Sequence, residues 1–269
     1  QSAADTTAES AVSGDETSAD TQAADAETTD AETTDASKTD GTFTVGFDQD
    51  FPPMGFVGDD GEFTGFDLEM AAEVAKRLNL TIAYQPIAWD AKDMELDAGT
   101  IDCIWNGFTM NGREDDYEWS KPYMKNNQVF VVRGDSDINS EADLAGKNVE
   151  VQTDSSAEAA LNDNSELTST FGSLTPVADY NTAFMDLESG AVDAIAMDDV
   201  VASYQITSRK ADFKVLDDVI AAEEYGIGFK KGNTGLRDKV QATLEEMAAD
   251  GTAAKISEKW FGKDITTIQ

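Results

Sequence analysis

At 269 residues the chain is long enough for one large domain or two smaller ones, with a substantial buried core. Its 54 acidic residues against 19 basic ones give a formal charge of −35, which argues against nucleic acid or an anionic membrane surface as a direct partner. There is no histidine and one cysteine, so the commonest general base is missing, no internal disulfide or thiolate metal cluster can form, and no cofactor is expected.

Residues 1–40 contain only Ala, Ser, Thr, Asp, Glu, Gln and Gly apart from Val12 and Lys38, and AETTD occurs twice in tandem over 26–35. Such a segment cannot offset the entropy of folding and is expected to be a disordered acidic tether. Eleven acids and one lysine place ten of the net negative charges there, leaving −25 on the remainder. Its function would be to space a folded domain from a surface; the plainer alternative is a tail with no spacing role. No apolar run approaches the roughly 20 residues needed to span a bilayer. With no initiator methionine or signal-type segment, the sequence reads as a trimmed mature chain, any membrane anchor having belonged to a lost N-terminus.

From Gly41 onward strands and helices alternate. FTVGF (43–47) is the first strand, and GFDLEMAAEVAKRLNL (65–80) a helix with Leu68, Ala71, Ala75 and Leu78 on one face. TIAYQPI (81–87), IDCIWN (101–106), QVFVV (128–132) and NVEVQ (148–152) continue the strand series, with Cys103 expected as an inert core thiol. Helices follow at 156–163 and 181–190, a strand at 194–198, strands at 213–217 and 225–229, and a helix at 235–251. Gly190 and Gly251 are placed as helix stops. This alternation favours parallel sheets covered by helices, with a ligand site beyond the carboxyl ends of the strands.

The chemistry-bearing segments fall at those ends: GFDQDFPPMGF, PIAWD, NGFTMNGR, VQTDSSAE and AMDD. Together they suit a free amino acid, whose two charges must each meet an opposite charge or several hydrogen bonds once out of water. Arg113 offers a planar fork for a carboxylate, Thr109 a hydroxyl, and Gly107 close backbone approach. Ser155 or Ser156 would cap the following helix, whose free N–H groups attract an anion. Asp198 can take the ammonium, Phe51 and Trp89 can hold an apolar stem, and Asp48 faces what lies beyond it. Each has a plainer role: Asp198 as a turn or helix cap, Phe51 as turn packing, Arg113 as part of a solvated cluster with Glu114, Asp115 and Asp116.

FTVGFDQDFPPMGF, GEFTGFDLEMAAEVAKRLNL (61–80), WSKPYM (119–124), LESGAVDAIAMDD (187–199) and ADGTAAKISEKWFG (249–262) resemble the spaced motifs of the extracellular solute-binding proteins of family 3, receptors that feed polar amino acids to ABC importers. The resemblance covers about 41–262. It implies an α/β clamshell of the two-lobed, type II periplasmic-binding-protein kind, each lobe a mostly parallel sheet flanked by helices. Lobe 1 would hold 41–127 and 223–269, lobe 2 128–222, with a two-strand hinge near 128–131 and 225–228 whose closure buries the ligand.

Carried over residue by residue, the resemblance implies Asp48 as side-chain-sensing acid, Phe51 and Trp89 as aromatic walls, and Gly107 and Thr109 as contacts to both ligand charges. Arg113 matches the carboxylate clamp, Gln152 and Ser156 the second lobe's contacts, and Asp198 the ammonium acceptor. The chain departs from the family's T-x-T-x-x-R: here T-M-N-G-R is one residue shorter, with Asn111 at the second threonine. KDMELDAGTID also lacks the usual proline, so its helix is expected to start differently.

The function implied is a non-enzymatic, monomeric receptor delivering a polar neutral or cationic amino acid to an ABC permease at about micromolar affinity or tighter, roughly −8 kcal/mol. Glutamine, arginine, lysine, histidine and cystine are all open. The receptor would be lipid-anchored on the outer face of the cytoplasmic membrane, the alternative being a free periplasmic protein. Two further readings are a cyclohexadienyl- or arogenate-type dehydratase, whose general acid could only be a pocket carboxylate such as Asp48 or Asp50, and a sensory or adhesive surface module.

Overall fold

The computed structural model describes residues 41–269; the expected tether lies outside the described residues. Strand β1 (Thr42–Phe47) buries five of its six residues, as an apolar run does when both faces of a sheet are covered. Strands β2 (Asp50–Phe51), β3 (Gly55–Val57) and β4 (Phe63–Thr64) form a small antiparallel sheet around the aromatic–proline turn. Helix α1 (Phe66–Arg77) buries Leu68, Ala71 and Ala75, and Leu78 packs beside them, so the spaced apolar face is the core face. β5 (Thr81–Pro86) pairs parallel with β1, and α2 (Lys92–Ala98) follows a 3-10 turn at Trp89–Ala91. β6 (Cys103–Thr109) is wholly buried on the other side of β1; the Cys103 thiol is inaccessible there and burial pushes its pKa up, as suits a core thiol.

After the short β7 (Glu118–Trp119) the chain leaves along β8 (Met124–Arg133). The next half comprises β9 (Asn148–Gln152), α3 (Ser156–Asp163), α4 (Ser165–Thr168), β10 (Ser173–Val177), α5 (Tyr180–Ser189), β11 (Ala194–Asp198) and α6 (Asp199–Arg209). The chain returns on β12 (Phe213–Phe229) and ends with α7 (Thr234–Ala249) and α8 (Thr252–Phe261).

The main sheet runs β10-β9-β11-β8-β12-β6-β1-β5. β10, β9 and β11 are mutually parallel at one end, β6, β1 and β5 at the other, and the long strands β8 and β12 run antiparallel between them. This is the expected two-lobed α/β clamshell with a two-strand connection. No described helix is long and apolar enough to cross a membrane.

Three differences from the expected elements have physical causes. The strands expected at 213–217 and 225–229 are one strand, because register breaks near Val219 shift its alternation and hide its continuity. The helix expected over 235–251 is α7, with Gly251 as its stop, and a further helix, α8, begins just beyond it, where Gly251 at φ 79 turns the chain. β10 went unread because Pro176 and its polar neighbours suit only an edge strand, which is where it lies.

Candidate functional site

A small cavity lies at the carboxyl ends of β1, β6, β9 and β11. Phe51, Trp89, Asn106, Gly107, Thr109 and Arg113 line it from the chain before β8; Gln152, Ser155, Ser156 and Asp198 line it from the chain between β8 and β12. Eight of the nine expected site residues therefore share one space. Asp48 stands a step behind the wall: its carboxylate accepts from Gln152 Nε2 at 2.7 Å and from the Asp50 N–H at 2.8 Å, and it lines an outer groove with Asp50, Asp90 and Asp179.

The shortened loop after Thr109 closes as a tight turn over 110–113. Arg113 N–H donates to Met110 O at 3.0 Å, and Gly112 adopts φ 80, a conformation that favours glycine. Asn111 Oδ1 accepts the Glu224 N–H at 2.8 Å and ties the turn to β12. The guanidinium lies over the Phe108 ring at 5.2 Å and donates to Thr109 O at 3.4 Å and Asp154 O at 3.1 Å. The missing residue thus leaves Arg113 at the cavity, held by its position over Phe108. Beneath it Trp89, Phe108, Tyr117 and Trp119 pack as one aromatic cluster.

Across the cavity the two serines divide their tasks. Ser155 caps α3, its hydroxyl accepting the Glu158 N–H at 3.1 Å. Ser156 Oγ accepts from Thr109 Oγ1 at 3.1 Å and from Gln128 Nε2 at 3.0 Å. Further contacts close the rim: Asn181 Nδ2 donates to Asp50 Oδ1 at 2.6 Å, and buried Lys92 on α2 meets the Asp154 carboxylate beyond β9. The halves of the chain are in contact around the cavity, so the conformation described is a closed one.

Asp198 is 4% exposed and is the N-cap residue of α6, but its side chain makes no capping hydrogen bond. It accepts from Asn126 Nδ2 at 2.9 Å and from the Tyr225 hydroxyl at 2.5 Å. Behind it lies a second buried carboxyl, Glu223, accepting from Asn126 Nδ2 at 2.7 Å and Gln128 Nε2 at 2.8 Å. Among the described residues neither acid forms an ion pair. Burial, then repulsion from Glu223, holds the Asp198 carboxyl well above the usual carboxylate range. An ammonium arriving there would supply the positive charge the pair lacks.

Sequence reasoning missed Asn106, Asn126, Gln128, Glu223 and Tyr225. Asn106 Oδ1 accepts the Asp48 N–H at 3.0 Å, and the signal that could have found it is a lone amide in the apolar run CIWNGF. The others lie on β8 and β12, which the sequence marked only as strands and hinge. Among the described residues no cluster of carboxylates and cysteine suits a metal ion.

Other buried carboxyls share the upward shift. Burial pushes Asp48 up to about 6 and Asp67 to about 7, and burial with the Asp186 carboxylate takes Glu150 to about 7. Each binds its proton more tightly folded than unfolded. The stability they contribute is therefore complete at acid pH and lost as pH rises through 6–7. The thermal midpoint of the ligand-free protein should fall between pH 5 and pH 8; a flat or rising midpoint in calorimetric scans would contradict these assignments.

A profile of the bacterial extracellular solute-binding proteins, family 3, matches residues 43–263. The chain belongs to that family. Among family members it is 34% identical over 228 residues to the L-cystine-binding protein TcyJ of Escherichia coli K12, covering 84% of each chain. It is 32% identical over 227 residues to the L-cystine-binding protein TcyA of Bacillus subtilis, covering 83% of this chain and 82% of the relative. A crystal structure of an ABC uptake transporter substrate-binding protein from Streptococcus pneumoniae with bound histidine superposes with a TM-score of 0.82. It is 35% identical and covers 84% of this chain and 95% of its own. The family and fold expected from the motifs are borne out, and all three proteins are named as binding proteins.

Proposed function

We propose that this chain is the amino-acid receptor of an ABC importer, closing on its ligand and presenting it to the membrane permease without chemical change. The observation that carries this is the pairing of Arg113 with Asp198 on one cavity, a cation before β8 and an anion before β12. The ligand carboxylate would sit between the Arg113 guanidinium, Thr109 and Ser156, its ammonium against Asp198, and its stem between Phe51 and Trp89. The lobes would divide at 127/128 and 222/223, positions supported by the direct pairing of Asn127 with Ala222 on the β8–β12 ladder.

The ligand class is a polar neutral or cationic amino acid, and L-cystine stands first within it. The acidic groove formed by Asp48, Asp50, Asp90 and Asp179 adjoins Trp89 and suits a second ammonium, and two relatives carry cystine in their names. The receptor would act as a monomer outside the cytoplasmic membrane, tethered by residues 1–40 to a lipid on a residue upstream of this sequence.

A thermal-shift panel of the twenty amino acids, cystine and ornithine tests the reading. A ligand at 100 times its Kd should stabilise by about 2.7 kcal/mol, a shift of several degrees. No shift with any of them at millimolar concentration would overturn it.

A further inference from the structure

GFDLEM, the most specific motif in the chain, carries an aspartate that the site above does not use. Asp67 lies in the first turn of α1 and is completely buried. Its Oδ2 accepts the Gly107 main-chain N–H at 2.6 Å and the Tyr123 hydroxyl at 2.9 Å. A helix start favours a carboxylate, but it does not call for burial or for these partners. Glu69, in the same turn, reaches Lys259 at the surface instead.

The explanation lies in what β6 does at Gly107. Pairing with β12 runs Tyr225 to Thr109 and Gly226 to Phe108, then slips before Gly228 meets Ile104. At this slip Gly107 adopts φ 57, a conformation that suits glycine, and a Cβ there would meet the Phe51 and Tyr225 rings at 3.2 Å. An N–H taken out of regular strand geometry inside a protein needs an acceptor, and a carboxylate is the strongest one available. Asp67 supplies it from α1, forty residues earlier in the chain.

We propose that Asp67 is a positioning residue for ligand capture: by holding the Gly107 N–H it sets the main chain of 107–109 in the geometry that receives the ligand's charged head. This rests on the amino-acid-receptor reading. Tyr123 extends the same support. Its ring lies 6.3 Å from that of Tyr225, whose hydroxyl donates to Asp198, so the Gly107 and Asp198 walls are braced through adjacent tyrosines. The motif's acid thus serves the cavity without touching it.

The test combines Asp67→Asn and Tyr123→Phe with calorimetric titration of L-cystine and L-arginine and with the amide-proton resonance of Gly107. A short bond to a carboxylate should place the wild-type resonance far downfield, and both variants should move it, Asp67→Asn the more. At pH 8, above the value of about 7 to which burial pushes Asp67, affinity should fall about tenfold in Asp67→Asn and two- to fivefold in Tyr123→Phe, the range expected for weakening one charge-assisted hydrogen bond. Lowered stability with unchanged affinity would mean that Asp67 only starts the helix, and would overturn the inference. If Asp67→Asn does not fold, Tyr123→Phe decides by the same criteria. If wild type binds neither probe nor any amino acid of the panel, the receptor reading fails; a Gly107 resonance unmoved by Tyr123→Phe would then overturn the positioning role separately.

Discussion

Asp198→Asn should produce a folded protein that binds its amino acid about 100-fold or more weakly and yet is more stable than wild type when empty at pH 8. Asparagine keeps the shape and one oxygen to accept from Tyr225 and Asn126. What it removes is the charge that would face the ligand ammonium. Truncating one partner of a buried, hydrogen-bonded charge pair typically costs about 2–5 kcal/mol of binding free energy, or roughly 30- to 5,000-fold in affinity. The gain in empty stability has the same origin. Asp198 is pressed against Glu223 with its proton held well above the normal range, so ionising it at pH 8 works against folding. At pH 5 that penalty is smaller, because the raised carboxyl ionises less readily, and the variant should match wild type more closely. Calorimetric titration with thermal scans at both pH values checks this. Undiminished affinity would remove Asp198 from the site, and lower stability at pH 8 would show that Asp198 and Glu223 do not repel.

The outline of the cavity was legible because an α/β sheet delivers strand ends to one place. Once 43–47, 101–106, 148–152 and 194–198 are read as strands, Phe51, Thr109, Gln152 and Asp198 must gather near their carboxyl ends. Which side chains face the cavity was not legible at the same level. Asp48 follows its strand as expected, but Gln152 intercepts its carboxylate from 104 residues away. Glu223 was hidden in DDVIAAEEY, where three neighbouring acids suggest solvent; burial depends on β8 lying alongside, with Asn126 directly opposite in the ladder. Lys92 is a similar case. In KDMELD it looks like an exposed helix residue, whereas it is 2% exposed and meets Asp154 across the closed cleft. Periodicity reports the face a residue occupies on its own element, and these residues are placed by a second element far away in sequence.

Gly65→Ala should be among the most damaging single substitutions available in the described chain, lowering stability by about 4 kcal/mol. Gly65 precedes α1 with φ 144 and ψ 165, a backbone region open essentially to glycine alone, where another residue carries strain of about 1–3 kcal/mol. A Cβ there would lie 2.3 Å from Met54 O, 2.6 Å from Met54 C and 2.9 Å from Gly55 Cα. Those are main-chain atoms and cannot rotate aside, so overpacking adds about 1–3 kcal/mol more. The turn cannot simply move away, because the Phe66 N–H donates to Pro53 O at 2.7 Å and the Asp67 N–H to Met54 O at 3.0 Å, clamping α1 to the Phe51 turn. Gly61→Ala is the internal control. Gly61 also has positive φ, 82, but open space around its Cβ position, so it should lose only about 1–2 kcal/mol. Chemical denaturation of the two variants separates conformational strain from collision, and equal losses would show that the Met54 contact is not decisive. A clearly larger loss at Gly65 would give the first letter of the GFD motif a physical meaning distinct from the third: the glycine lets the helix start press onto the aromatic turn, and that approach carries Asp67 within reach of Gly107.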